Sequence, residues 1–156
     1  MPGAFDRRHG WRVFLHPAFK GTFDRLVAEL AELAELERAR PGDHRSHPKA
    51  KLLRRIVDLI LDEIPSDPAS AKYRQGTTLG GAHRHWRRAK FLRRFRLFFR
   101  YSEKERIIIH AWINDENALR MAGARSGPYG VFRRRLSRGD PPDSWDDLMR
   151  EAGPKR

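Results

Sequence analysis

Residues 91–116 read FLRRFRLFFRYSEKERIIIHAWINDE, and the run from Arg93 to Tyr101 sets arginines between aromatics. Side chains alternate across a strand, so Phe95, Leu97, Phe99 and Tyr101 share one face, and Arg94, Arg96 and Arg100 share the other. The spacing predicts strands over 83–91, 93–101 and 105–113. Ser102-Glu103-Lys104 has the length of a tight hairpin loop between the second and third. If pairing preserves face parity, Phe95, Leu97, Phe99, Ile107, Ile109 and Ile113 lie under a helical layer. Ile108, His110 and Trp112 then join the arginines on an open face, although a one-residue slip would exchange the third strand's faces.

Outward from the hairpin, apolar residues recur at helical spacing in two upstream segments. Phe23, Leu26, Val27, Leu30 and Leu33 follow a Thr22 cap and end near Arg40-Pro41-Gly42. Leu52, Leu53, Ile56, Val57, Ile60 and Ile64 follow a Ser46 cap and stop at Pro65. The short loop between them predicts an antiparallel αα-hairpin. Trp11, Val13, Phe14 and Leu15 supply an edge strand. Downstream, Asn114 or Asp115 caps a short helix through Met121, a second helix covers 128–137, and Ser144 caps a last turn with Trp145 and Leu148. The fold class expected is α+β: an N-terminal αα-hairpin on one face of a small, twisted, mostly antiparallel sheet, with short C-terminal helices. A chain of 156 residues fits one domain over 1–156.

Charge is segregated. The net charge is +13, and between Asp67 and Glu103 there are ten Lys and Arg and no carboxylate. The segment TFDRLVAELAELAELERAR, by contrast, carries five carboxylates against three cations. A basic block interleaved with aromatics is the footprint expected for a nucleic-acid partner, against the plainer alternative of a solvated basic face. Without cysteine there are no disulfides and no thiolate metal sites. No apolar run approaches the ~20 residues of a membrane span, and the N-terminus lacks a signal-peptide core, so a cytoplasmic protein is expected.

Other motifs weigh little. Gly76-Thr77-Thr78-Leu79-Gly80-Gly81 lacks the Gly-Lys-Ser/Thr ending of a phosphate loop and reads as a flexible turn. His44-x-x-His47 and His83-x-His85 have metal-compatible spacing, but neither pair has cysteine or carboxylate company in sequence, so no metal and no cofactor are expected. Asp115-Glu116 is too little for a metal-dependent nuclease. His110 could shuttle protons, but an imidazole in an isoleucine-rich strand is more often simply packed.

The basic block suits one chemistry. RNA carries its own nucleophile, the 2′-hydroxyl. Holding that hydroxyl in line with phosphorus and neutralising the phosphorane with fixed cations cleaves the chain without a metal. Arginine fits because its fork makes paired hydrogen bonds to phosphate and keeps its charge. Lys90, crowded by arginines, could act as the base, and Tyr129 could orient or protonate the leaving 5′-oxygen or stack on a base. Arg84, Arg87, Arg93, Arg100, Trp112 and Arg120 are assigned to RNA binding.

The run GTTLGG, HWRRAKF, RFRLFFRYSEKERIIIHAWINDENALR, YGVFRRRL and GDPPDSW resembles the YhaV toxins of bacterial type II toxin–antitoxin systems. The likeness extends from Gly10-Trp11 and His16-Pro17 to Trp145 and is strongest from Leu79 to Phe132. It implies a RelE-like fold and an endoribonuclease that cuts mRNA, on the ribosome. It further implies a PrlF-type antitoxin with an AbrB-like DNA-binding domain, through which alone the toxin reaches operator DNA. Arg96 matches the superfamily's strand arginine, Arg88 and Lys90 its preceding basic pair, and Arg120 and Tyr129 its C-terminal elements. With that resemblance, Arg96, with Arg88 or Arg94, is assigned to the phosphorane, Lys90 to the base or a second cation, and Tyr129 to the leaving side or a base. Ser126-Gly127-Pro128 stands where the family would place an aspartate before Tyr129. Two other classes use the same residues differently: a non-catalytic RNA- or ribosome-binding protein, and an interaction module working through the acidic first helix.

Overall fold

The computed structural model describes residues 5–39, 47–114 and 116–153, with the backbone alone for 39 and 116–126. Two short strands open the chain, β1 (Asp6–Arg8) and β2 (Trp11–Leu15), turned at His9-Gly10, where both residues have positive φ. Helix α1 (Pro17–Ala39) starts five residues before Thr22. Its cap is His16, whose Nδ1 accepts from the Ala18 amide at 3.0 Å while Nε2 donates to Glu151 at 2.9 Å. Helix α2 (Pro48–Asp58) is capped by His47, whose Nδ1 accepts from the Lys49 amide at 3.1 Å, and Ser46 lies outside the described residues. It continues through a wider π turn (Leu59–Glu63) into a last turn, α3 (Ile64–Ser66), and ends one residue after Pro65. Glu29 of α1 and Lys49 of α2 form an ion pair between the helices.

Strands β3 (Arg87–Phe91), β4 (Phe95–Ser102) and β5 (Ile107–Ile113) complete one five-stranded sheet in the order β1-β2-β5-β4-β3. All neighbours are antiparallel except β2 and β5, which run parallel, and because β1 pairs with its other side β2 is an inner strand and not the edge. Helix α4 (Glu116–Ser137) is continuous where two helices were expected, with Gly127 at φ +53° and Pro128 inside it. Helix α5 (Trp145–Ala152) is capped by Ser144 as expected, its Oγ accepting from the Asp147 amide at 3.3 Å. Among the described residues, no helix is long and apolar enough to cross a membrane.

The expected open face is covered. On one side α1, α2 and the turns after it bring Phe19, Leu26, Ile56, Ile60 and Ile64 onto Leu97, Phe99, Ile108 and Ile113. On the other, Phe132 and Leu136 of α4 and Leu148 and Met149 of α5 pack onto Phe14, Trp86, Phe98, Ile107, Ile109 and Trp112. Ile107, Ile108, Ile109 and His110 therefore lie on the faces opposite to those expected, whereas Trp112 and Ile113 lie on the expected ones. Ser102 belongs to β4, so the loop is 103–106, one residue longer than Ser102-Glu103-Lys104. A bulge then restores parity: Phe99 faces His110 while Phe98 faces Trp112, leaving Ala111 unpaired.

Candidate active site

The register of the β3–β4 hairpin places Lys90 opposite Arg96 and Arg88 opposite Phe98. Arg88, Lys90 and Arg96 thus share the reverse face with Phe98, at the corner of the sheet that α4 reaches with Tyr129. The Tyr129 ring meets Phe98 edge-on at 5.7 Å. Arg88 is buried. Its Nη2 donates to the Arg74 carbonyl at 2.9 Å and its side chain is hydrogen-bonded to Tyr129. Burial pushes its guanidinium below the ordinary value, Tyr129 offsets part of that, and the positive charge of Arg96 adds to it. The Nε–H groups of both Arg88 and Arg96 are buried without a hydrogen-bond partner among the described residues. Lys90 is exposed beside them.

Arg96 is held by its backbone. Asn114, 1% exposed, accepts from the Arg96 amide through Oδ1 at 2.6 Å and donates from Nδ2 to the Arg94 carbonyl at 3.0 Å. The Arg96 Nη1 donates to the carbonyls of Arg93 and Phe95, each at 2.9 Å. Asn114 or Asp115 was expected to cap a helix; Asp115 lies outside the described residues, and Asn114 fastens the end of β5 to the hairpin turn. That turn is three residues, Leu92, Arg93 and Arg94, the first two at φ +46° and +65°, so β4 begins at Phe95 and not at 93.

The remaining cations disperse. Arg93 and Arg94 are exposed in the turn, and Arg84 is exposed in the loop before β3. Arg87 lies on the opposite face, 5.7 Å from the Tyr101 ring. Arg100 is no part of an exposed plate: its guanidinium lies 5.7 Å from the Trp86 ring and 5.4 Å from Trp145, and donates to the Asp143 carbonyl at 2.6 Å. Burial lowers its pKa, with the Asp143 charge acting against that. Trp112 is 5% exposed and stacked against Phe132 at 5.6 Å, so it offers no ring to a base. The side chain of Arg120 lies outside the described residues, as does Asp115. His110 is packed, between Phe19 and Phe99, as the plainer alternative held.

Two features went unread in sequence. The loop GTTLGG is pinned and not flexible: Gln75 Oε1 accepts from Thr78 Oγ1 at 2.7 Å and from the Leu79 amide at 3.3 Å, and Leu79 is wholly buried. The pair His83 and His85 does have carboxylate company. Asp143 Oδ1 lies 2.8 Å from His83 Nδ1, 3.0 Å from His85 Nε2 and 2.7 Å from Trp86 Nε1. Burial would raise the Asp143 carboxyl, but the Trp86 and His83 hydrogen bonds and the adjacent His85 together hold it below its ordinary value. A third segment far along the chain made this grouping, and no local spacing announces it. His44, of the other pair, lies outside the described residues.

The family model that matches residues 13–153 is Toxin_YhaV, described as a toxin with endonuclease activity, of a toxin–antitoxin system. Among curated proteins, the chain is 43% identical over 149 residues to the ribonuclease toxin YhaV of Escherichia coli strain K12, covering 94% of this chain and 95% of that one. It is equally similar to the toxin YhaV of Escherichia coli O157:H7, and 42% identical to that of Escherichia coli O6:H1 over the same shares. No solved structure matches the chain significantly. With nearly its whole length matched, and with the basic corner lying inside the matched region, the chain belongs to the YhaV family of toxin–antitoxin endonuclease toxins.

Proposed function

We propose that this toxin cleaves RNA without a metal at the corner formed by Arg88, Lys90, Arg96 and Tyr129. The observation that carries the proposal is a buried guanidinium, Arg88, beside a half-buried one, Arg96, on adjacent strands and the same face, each with a buried Nε–H left without a partner among the described residues. A buried donor without an acceptor is costly, and a phosphate oxygen seated there would satisfy both. Arg96 and Arg88 take the charge of the phosphorane as the 2′-hydroxyl attacks in line. Lys90 serves as the base that takes the 2′-hydroxyl proton. Tyr129 gives its proton to the departing 5′-oxygen, and its hydrogen bond to Arg88 compensates the charge left on the phenol oxygen. Arg94, in the turn two positions before Arg96, and the exposed Arg84 and Arg93 extend the cationic surface for the flanking strand. The products are a 2′,3′-cyclic phosphate and a 5′-hydroxyl.

The name of the Escherichia coli K12 relative, a ribonuclease toxin, supports RNA over DNA as substrate. The toxin–antitoxin family implies an antitoxin partner. Its resemblance-based identity is a PrlF-type protein that binds operator DNA, and the RNA is translated message in the cytoplasm, cut on the ribosome.

The test is Arg96→Ala in the intact chain. Removing one fixed donor to the phosphorane should lower the cleavage rate about 10²–10³-fold and relieve growth arrest. Far-ultraviolet circular dichroism and antitoxin binding should be unchanged. Wild-type cleavage should persist in EDTA. Undiminished toxicity of the variant removes the assignment, and loss of cleavage on chelation removes the metal-free mechanism.

A further inference from the structure

We propose that His83, His85 and Asp143 form a binding site for a divalent transition-metal ion that fastens the C-terminal segment to the sheet, apart from the cleavage corner. The three donor atoms lie within 4.8 Å of one another. Both imidazole nitrogens converge on Asp143 Oδ1, at 2.8 Å for His83 Nδ1 and 3.0 Å for His85 Nε2. An ion seated among them replaces the shared protons, with a small outward adjustment of the rings. The two histidines lead into β3, two positions apart, and the carboxylate arrives from the loop before α5. The ion therefore joins segments roughly sixty positions distant in the chain.

The donor set selects the metal. Two imidazoles and one carboxylate suit zinc, cobalt, nickel and copper, whereas magnesium and calcium require more oxygen ligands. All three side chains keep contact with solvent, leaving a coordination position for water. The carboxylate is aimed by groups outside the site. The indole of Trp86, itself wholly buried, donates to Asp143 Oδ1 at 2.7 Å, and Arg100 fixes the Asp143 backbone carbonyl at 2.6 Å. The Arg100 guanidinium also repels a cation, so the site requires both imidazoles. None of these residues is assigned to the cleavage corner, and the ion takes no part in the reaction proposed there.

The experiment uses the untagged full chain freed of metal and titrated with Co²⁺ and with Zn²⁺. The expected result is one ion per chain, a visible Co²⁺ absorption band, and a melting temperature raised by roughly 5–10 °C at a hundredfold excess over the dissociation constant. Mg²⁺ should give no shift. Asp143→Asn, which keeps the acceptor for Trp86, and the double variant His83→Gln, His85→Gln should each weaken Co²⁺ binding at least tenfold while the circular dichroism spectrum is retained. Failure of the wild-type chain to bind one ion, or an equal shift in the double variant, overturns the proposal. Binding is read on the chain itself, so it stands or falls independently of RNA cleavage.

Discussion

Asn114 is the residue through which Arg96 acquires its position. Its amide spans two points of the hairpin, accepting from the Arg96 amide and donating to the Arg94 carbonyl, and it is almost wholly buried. Alanine at this site leaves a buried donor and a buried acceptor without partners, a loss of about 1–3 kcal/mol each. The reach of the Arg96 guanidinium would then drift while the other cations stay in place. Asn114→Ala is therefore expected to lower kcat by roughly 10–100-fold with a smaller change in KM for RNA. Unchanged kcat in a folded variant would show that the strand alone aims the arginine. In sequence Asn114 or Asp115 looked like a helix cap, because either residue beside a new helix ordinarily is one. Its long-range partners could not be read from neighbours.

At the scale of elements, β5 explains both what was legible and what was not. The alternation of Phe95, Arg96, Leu97 is plain in sequence and correctly places Leu97 and Phe99 under the helical hairpin. The run IIIHAWI does not alternate, and every residue of it is buried. A strand without alternation is one covered on both faces, which predicts a second helical layer. Reading arginines in β4 as the mark of an open face obscured that signal. Arg100 instead fills a slot between two indoles. The face exchange over Ile107–His110 came from a loop one residue longer than its turn signature, and the bulge returned Trp112 and Ile113 to their expected faces. The layer that was missed rests on Phe132, which stacks on Phe98 at 4.2 Å and meets Trp86 edge-on at 5.0 Å. Phe132→Ala should lower stability by about 3–5 kcal/mol in a urea titration. Leu36→Ala, at a position 66% exposed on α1, should stay within about 0.5 kcal/mol. Similar midpoints for the two variants would contradict a packed reverse face.

For the whole molecule, one interior group couples folding to acidity. His110 is wholly buried between Phe19 and Phe99, with neither ring nitrogen hydrogen-bonded among the described residues. Burial lowers its pKa from the ordinary 6.5 to about 3. Between those values the unfolded chain binds a proton that the folded chain refuses. Stability is accordingly complete above pH 6.5 and falls as the pH drops below it, by about 1.4 kcal/mol per pH unit for this one group. Denaturant titrations between pH 7 and pH 4 should show a steeper loss in the wild type than in His110→Leu. Parallel losses would assign the acid sensitivity to other groups.

The parallel pairing of Trp11–Leu15 with the strand at Ile107–His110 has a further bearing on how the protein is made. During synthesis the first of these segments leaves the ribosome long before its partner is translated, while the helices between them can already coil. The central sheet closes only once the strand at Ile107–Ile113 has emerged, so the arginine corner, completed by Tyr129 of the helix that follows, stays unassembled while the nascent chain is still growing.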